Sequence, residues 1–351
     1  MNTFPNIDKL LTKNISKLSP NLHLGEKKLD LTNRDLKICK EILKIYESLN
    51  KKHKYKSEWS WINDNKRSDF LATLKRKNIK KLSNIFSNFF LNSSSFGIIS
   101  WDFKKLKSKK KNLELISNIY KDFLFWSEFV QKNNKDIKFL NSFKNFGNCY
   151  GLKLKNQLIM VDTPRHDYFA NKIIKLIGKK KSQIFTEIGG GYGGLIFQLL
   201  KRGFKGTIIN VDIIETLLIS YFFLRKFTKK KIIICDLEKK INFNSNNIYL
   251  CTPEFFLKLK SKINLIFNCH SFSEMSKNDL NLYLKKINKI KVNYFLHQNS
   301  NILLYPDSKR HVEILAKDFP INLNYYNLIY SQVSMWSSGS GRYREYLYKK
   351  K

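Results

Sequence analysis

The chain predicts an α/β protein, a Rossmann-like doubly wound parallel sheet preceded by a mostly helical region. Three observations carry this. From residue 182 onward, short apolar runs alternate with longer runs of helical periodicity, the pattern that covers both faces of a parallel sheet. The stretch 185–200, FTEIGGGYGGLIFQLL, places five glycines within six positions between a strand-like and a helix-like run, in a chain of 351 residues with only 14 glycines. Before about residue 145 the apolar spacing is helical.

Taken in order, NRDLKICKEILKIYESLN (33–50) spaces Leu36, Ile38, Ile42, Leu43, Ile45 and Leu49 along one helical face behind an Asn33 cap. Residues 68–92 and 112–133 repeat the pattern, and their aromatics read as the inside of a helical bundle. The tryptophans of WSW (59–61) read as packing too. A helical region, 1–145, then gives way to an α/β domain, 146–351. FGNCYGLKLKNQLIMVDTPRHDYFANKIIKLIG (146–178) predicts a glycine-marked turn, a short strand pair and a helix entered at Pro164. Strands follow at 182–188, 207–213, 247–251, 263–270 and 292–299, with helices between them. The last residues, 323–350, read as two β-rich runs joined by a Gly/Ser loop.

Composition narrows the class. The chain is 42% hydrophobic and 14% aromatic, which suits a folded domain and not a disordered one. Its longest apolar run, LLISYFFL (217–224), falls short of the ~18 residues a membrane helix needs. The first twenty residues have no signal-peptide core, and the five cysteines are scattered with no CxxC spacing. Both point to a reducing, cytoplasmic setting and away from zinc. The net charge of +37 comes from 65 basic residues of which nine are Arg. Lysine accompanied by Asn, Ile and Phe is what AT-rich coding produces, whereas readers of nucleic acid favour the planar Arg fork. Weak, non-specific attraction to polyanions or to an anionic membrane face is the expectation, with the lysine runs at 104–111 and 229–231 in solvated loops.

Glycine lets a backbone approach a ligand closely, and after the first strand of such a sheet the ligand is a nucleotide or nucleoside. Gly189-x-Gly191-x-x-Gly194 fits a dinucleotide fingerprint; Glu187-x-Gly189-x-Gly191-x-Gly193 fits the loop that holds S-adenosylmethionine. Glu187 favours the second, because a carboxylate at the strand tip repels pyrophosphate and attracts an ammonium or sulfonium. Asp212, nineteen residues beyond Gly193, lies where ribose hydroxyls are bound.

EIGGGYGG (187–194), VDIIETLL (211–218), NCHSFSEM (268–275) and LHQNS (296–300), with SNFFLN (87–92), FGNCYG and TPRHDYFA upstream, resemble the sugar O-methyltransferase family of bacterial surface-polysaccharide clusters. The resemblance spans most of residues 85–300; one departure is Ile213-Ile214, where that family tends to have Leu-Pro. It implies a class I methyltransferase fold and S-adenosylmethionine as cofactor. It also implies a sugar-containing acceptor: a nucleotide sugar, a lipid-linked glycan or a polysaccharide. Cofactor-binding candidates are then Glu187, Gly189, Gly190, Gly191, Tyr192, Gly193, Asp212 and Asn268.

Ligands in open α/β sheets sit beyond the carboxyl ends of the strands, which brings forward Asn268, His270, Ser271 and Glu274, then His297, Gln298 and Asn299. Methylating a hydroxyl calls for a base, so His270 and His297 are the catalytic candidates, with Glu274 orienting a histidine or binding hydroxyls. Ser273 or Ser276 is expected to cap the next helix. Arg165 and His166 could form part of a lid, although a surface pair of Arg165 with Asp162 or Asp167 is the plainer expectation. No carboxylate cluster suited to a divalent ion is apparent, so metal-independent chemistry is expected. Three other classes compete. An NAD-dependent oxidoreductase would want Tyr-x-x-x-Lys, and YLKK (283–286) has the wrong spacing. A nucleic-acid methyltransferase would carry an NPPY-like or cysteine nucleophile motif. A mere binding module would not need the glycine loop together with Asp212.

Overall fold

The computed structural model describes residues 17–26, 32–49, 58–141, 147–235, 243, 246–290, 292–302, 314–336 and 341–351. The expected boundary at 145 and the Gly/Ser loop at 337–340 lie outside the described residues.

A two-residue strand, β1 (Leu22–His23), precedes the first helix, α1 (Asn33–Leu49). The cap of α1 is Thr32 and not Asn33. The Thr32 hydroxyl accepts from the Asp35 amide at 3.1 Å while the Asp35 carboxylate accepts from the Thr32 amide at 3.2 Å, a reciprocal capping box. Next come α2 (Glu58–Asn65), α3 (Ser68–Lys75) and α4 (Ile79–Ser87). The single helix expected over 68–92 is broken because Lys77 adopts φ +54°, after which Asn78 caps α4 by accepting from the Lys81 amide at 2.9 Å. The lysine run 104–111 is helical rather than looped: it forms a 3₁₀ turn and then, behind Ser108, the start of α5 (Lys109–Phe129).

The expected strand pair is present as β2 (Gly151–Leu154) and β3 (Gln157–Ile159), joined through Lys155 and Asn156, both at positive φ. β1 pairs with β2, so the amino-terminal region contributes to this small sheet. Helix α6 (Thr163–Ile177) has Pro164 in its first turn, where the missing N–H costs nothing.

The main sheet follows: β4 (Ile184–Ile188), α7 (Gly194–Lys201), β5 (Thr207–Val211), α8 (Ile214–Phe227), β6 (Ile232–Cys235), β7 (Ile248–Cys251), α9 (Pro253–Lys258), β8 (Leu265–Cys269), α10 (Lys277–Ile290), β9 (Tyr294–Ser300), β10 (Tyr326–Val333) and β11 (Tyr343–Lys350). Its order is β10-β11-β9-β8-β4-β5-β7-β6. The six strands from β4 to β9 run parallel, and β11 enters antiparallel between β9 and β10. Strand β6 is absent from the sequence reading. Its four apolar residues follow the 229–231 lysines directly and are too few to register against that loop signal.

Alternation along the strands sends side chains into two hydrophobic layers. Phe185, Ile208, Leu265, Leu296 and Leu347 enter one; Ile188, Ile209, Ile266, Phe295 and Tyr346 enter the other. The first layer also contains Ile38, Phe86, Trp126 and Phe169. The helical region and the sheet therefore share one core. Helix α1 packs on α8, and the Phe86 and Phe222 rings stack with centroids 4.5 Å apart. No helix among the described residues is long and apolar enough to cross a membrane.

Candidate active site

The glycine loop leaves β4 and turns back over the end of β5. Gly189, Gly191 and Gly193 all have left-handed φ, at +75°, +57° and +87°. At Gly190 the constraint is space: a Cβ there would lie 2.2 Å from Asn210 Oδ1. The loop is pinned by its own amides. Gly189 N–H donates to the Val211 carbonyl at 2.8 Å, and Gly191 N–H donates to Asp212 Oδ2 at 3.0 Å. The other Asp212 oxygen accepts from the Ile213 amide at 2.8 Å.

Two adjoining cavities open above the carboxyl ends of the strands, of about 270 Å³ and about 440 Å³. They share Trp59, Gly189, Asp212 and Ser271. The smaller is walled by Glu187, His270, Glu274 and Tyr343, and roofed by Gly97–Ser100, Arg165 and His166. The larger is mostly apolar, with Pro253, Leu257, Met275, Leu282 and Tyr283, and also carries Glu254, Asn278 and Asp279. This is the expected location for a ligand in such a sheet.

Two carboxyls face this space under unusual conditions. Burial, with the Asp212 charge added, pushes Glu187 up to about 8, and its Oε2 has no hydrogen-bond partner among the described residues. Burial pushes Asp212 up to about 7, against the pull of its two amide donors. A buried carboxyl without a partner is costly unless a donor or cation completes it. Among the described residues no cluster of three or more His, Cys, Asp or Glu could hold a metal ion.

The structure brings Glu187, Gly189, Gly190, Gly191, Tyr192, Asp212, His270 and Glu274 together around the smaller cavity. It does not bring Gly193 there: that residue sits behind the loop against Leu224, making the turn into α7. Asn268 is fully buried and spent on structure. Its amide donates to the Ile188 carbonyl at 2.9 Å, and its oxygen accepts from Asn299 Nδ2 at 2.8 Å, which ties the ends of β4, β8 and β9.

His297 is not at the cavity either. Residue 297 of β9 points into the opposite layer, where its ring stacks on Tyr346 at 4.9 Å and Tyr348 at 5.9 Å and meets Phe295 and Phe319. Burial there lowers its pKa to about 3, so it is a neutral core residue and not a base. Its neighbour Gln298, on the other face, reaches His270 instead.

Arg165 departs from the surface pair expected of it. It does pair with Asp162, at 2.8 Å, yet both are buried, and Arg165 Nη1 lies 3.2 Å from His270 Nε2. Burial takes His166, beside it, down to about 4. Trp59, expected in the core, is half-buried at the junction of the two cavities. Nothing in the local pattern of Tyr343, which also lines the smaller cavity, separates it from an ordinary strand residue. Ser276 is the cap of α10, its hydroxyl accepting from the Asp279 amide at 3.1 Å.

No protein-family model matches the chain, and no curated protein sequence matches it. Solved structures do. The PH0226 protein from Pyrococcus horikoshii OT3 is similar at 12% identity and a TM-score of 0.38, over 54% of this chain and 92% of that one. The small RNA methyltransferase HEN1 is similar at 13% identity and a TM-score of 0.39, over 52% of this chain and only 25% of its own. Magnesium protoporphyrin IX methyltransferase from Synechocystis PCC 6803, solved with bound SAH, is similar at 10% identity and a TM-score of 0.39, over 66% of this chain and 94% of that one.

Proposed function

We propose that the protein is an S-adenosylmethionine-dependent methyltransferase that methylates a sugar hydroxyl. The observation that carries the cofactor is Glu187. A buried carboxyl whose Oε2 has no partner among the described residues, at the tip of β4 and facing a glycine-lined cavity, suits a cationic ligand and opposes a pyrophosphate. The glycine loop and Glu187 would hold the amino-acid end and Asp212 the ribose, with the base in the larger, apolar cavity. When bound, the cofactor supplies an electrophilic methyl group on a sulfonium.

The acceptor would enter the smaller cavity, where Ser100, His270 and Glu274 offer polar contacts and Trp59 and Tyr343 offer aromatic faces. The segment Gly97–Ser100 and Arg165, which line this cavity, would shield the reacting oxygen from water. Glu274, which lines this cavity, would take the hydroxyl proton through its carboxylate. The sugar itself rests on the sequence resemblance, which the polar and aromatic lining supports. A cytoplasmic location, and an acceptor that is a nucleotide sugar or a growing glycan, belong to the same reading.

Calorimetry with S-adenosylmethionine, S-adenosylhomocysteine and NAD tests the cofactor. Binding of the first two and not of NAD is expected; NAD binding alone would replace the reading with an oxidoreductase. Mass spectrometry of surface glycan from a deletion strain tests the acceptor, with loss of one methyl group as the expected result.

A further inference from the structure

We propose that Arg165 is a positioning residue that locks the His270 imidazole with its proton on Nδ1, so that His270 meets the acceptor as a hydrogen-bond donor and not as a base. Only the acceptor in this statement rests on the methyltransferase reading; the lock is a property of the chain alone.

Two groups converge on one ring nitrogen. Arg165 Nη1 is 3.2 Å from His270 Nε2, and Gln298 Nε2 is 2.9 Å from the same atom. A guanidinium donates and never accepts, so His270 Nε2 must be the acceptor whichever way the Gln298 amide is turned. A neutral imidazole that accepts at Nε2 carries its proton on Nδ1.

The ring is held in this pose by further contacts. It stacks on Tyr343 with centroids 3.9 Å apart and planes 13° from parallel. Its backbone takes φ +68°, a costly value outside glycine, and its amide donates to the Gln298 carbonyl at 2.7 Å. Arg165 is itself fixed by Asp162 at 2.8 Å, and Asp162 accepts from the Ser100 amide at 3.0 Å and the Ser100 hydroxyl at 2.6 Å. One line of hydrogen bonds thus runs from the cavity roof to the ring.

Arg165 and His166 from α6 and Arg342, just ahead of β11, oppose a charge on His270, whereas the Glu274 carboxyl in the same cavity lining would favour one; Cys269 and Tyr343 complete its surroundings. Burial and the two guanidinium charges hold its pKa well below the usual range. Nδ1 meanwhile has no protein partner among the described residues, on a residue that lines the smaller cavity. A donor left open toward a substrate space is the functional end of the arrangement.

The test is long-range nitrogen–proton NMR of the full chain labelled with ¹⁵N-histidine, the His270 signals being identified by their loss in His270→Gln. The expected wild-type pattern is a neutral Nδ1–H ring, unchanged across neutral pH. In Asp162→Asn/Arg165→Met, which removes the buried cation and its anion together, the ring should shift toward Nε2–H or begin to titrate. A wild-type ring that is Nε2–H, or that titrates across neutral pH, overturns the lock even if the double variant fails to fold. So does a double variant whose ring is unchanged. Calorimetry with S-adenosylhomocysteine on the same sample keeps the questions apart: absent binding overturns the cofactor reading, whereas a misplaced ring proton overturns the lock.

Discussion

The Gly191 amide donates to the Asp212 carboxylate at 3.0 Å, so one hydrogen bond joins the glycine loop to the end of the neighbouring strand. The same carboxylate lines both cavities. Loop shape and, under the proposed function, ribose binding would therefore depend on a single side chain.

Asp212→Ala should weaken S-adenosylhomocysteine binding by about 1 to 3 kcal/mol, the usual cost when a charged hydrogen-bonding group is lost. Asp212→Asn keeps one acceptor for Gly191 and should lose less. Calorimetry at fixed pH gives both numbers, and equal affinity in all three proteins would move the ligand elsewhere.

Cofactor affinity should rise with pH from about 6 to 8. In the free protein Asp212 sits at about 7 and Glu187 at about 8, and a cationic ligand favours their ionised forms, so binding releases protons. The ligand-free protein should behave in the opposite sense. Both pKa values are raised above their unfolded values, so this contribution to stability is complete below the ordinary carboxyl range and is lost as pH rises through 7 and 8. Thermal melts of wild type against Glu187→Gln across this range test the sign, since the variant should lose less stability on going to pH 8.

Gly189→Ala should destabilise the fold as well as abolish binding. Its Cβ would lie 2.2 Å from Ser271 Oγ on a backbone at φ +75°, and such strain costs on the order of 1 to 3 kcal/mol. Gly191→Val should strain the backbone too, at φ +57°, while its Cβ meets only Ile98 within the protein, at 3.2 Å, and its side chain would enter the ligand's space. Denaturant melts beside calorimetry separate the two effects.

The two histidines should part company. His297→Ala opens a hole among aromatic rings and should cost several kcal/mol, roughly the range for large-to-small core changes. His297→Phe should be neutral or stabilising, because Nε2 of His297 is buried without a partner among the described residues. Neither change should alter the pH dependence of turnover. His270→Ala should lower turnover while leaving the profile between pH 6 and 8 in shape. Glu274→Gln should lower it by ~10² to 10⁴, the span of general-base catalysis.

Nucleic-acid binding should be weak and indifferent to sequence. Its affinity should collapse between low and physiological salt, as lysine–phosphate contacts driven by counterion release do. A salt-resistant, sequence-selective complex would point to a specific polyanion partner.

Local signals settled much of this protein. Strand–helix alternation announced the sheet, and five glycines beside Glu187 announced the loop, because periodicity and backbone freedom are written into neighbouring residues. Strand β6 was lost since four apolar residues are no signal on their own, and it forms because β7 offers it an edge. Which face a strand residue presents is decided only by the register of its neighbours. His297 and Gln298 are adjacent, yet one joins an aromatic core and the other touches the His270 ring across from Arg165. The same holds for Asn268, spent on binding three strand ends together, and for Trp59, brought to the cleft by the packing of a distant helix. Residues 59, 100 and 343 carry no local pattern that places them at the cavity, and only the closed core gathers them beside Arg165 and His270.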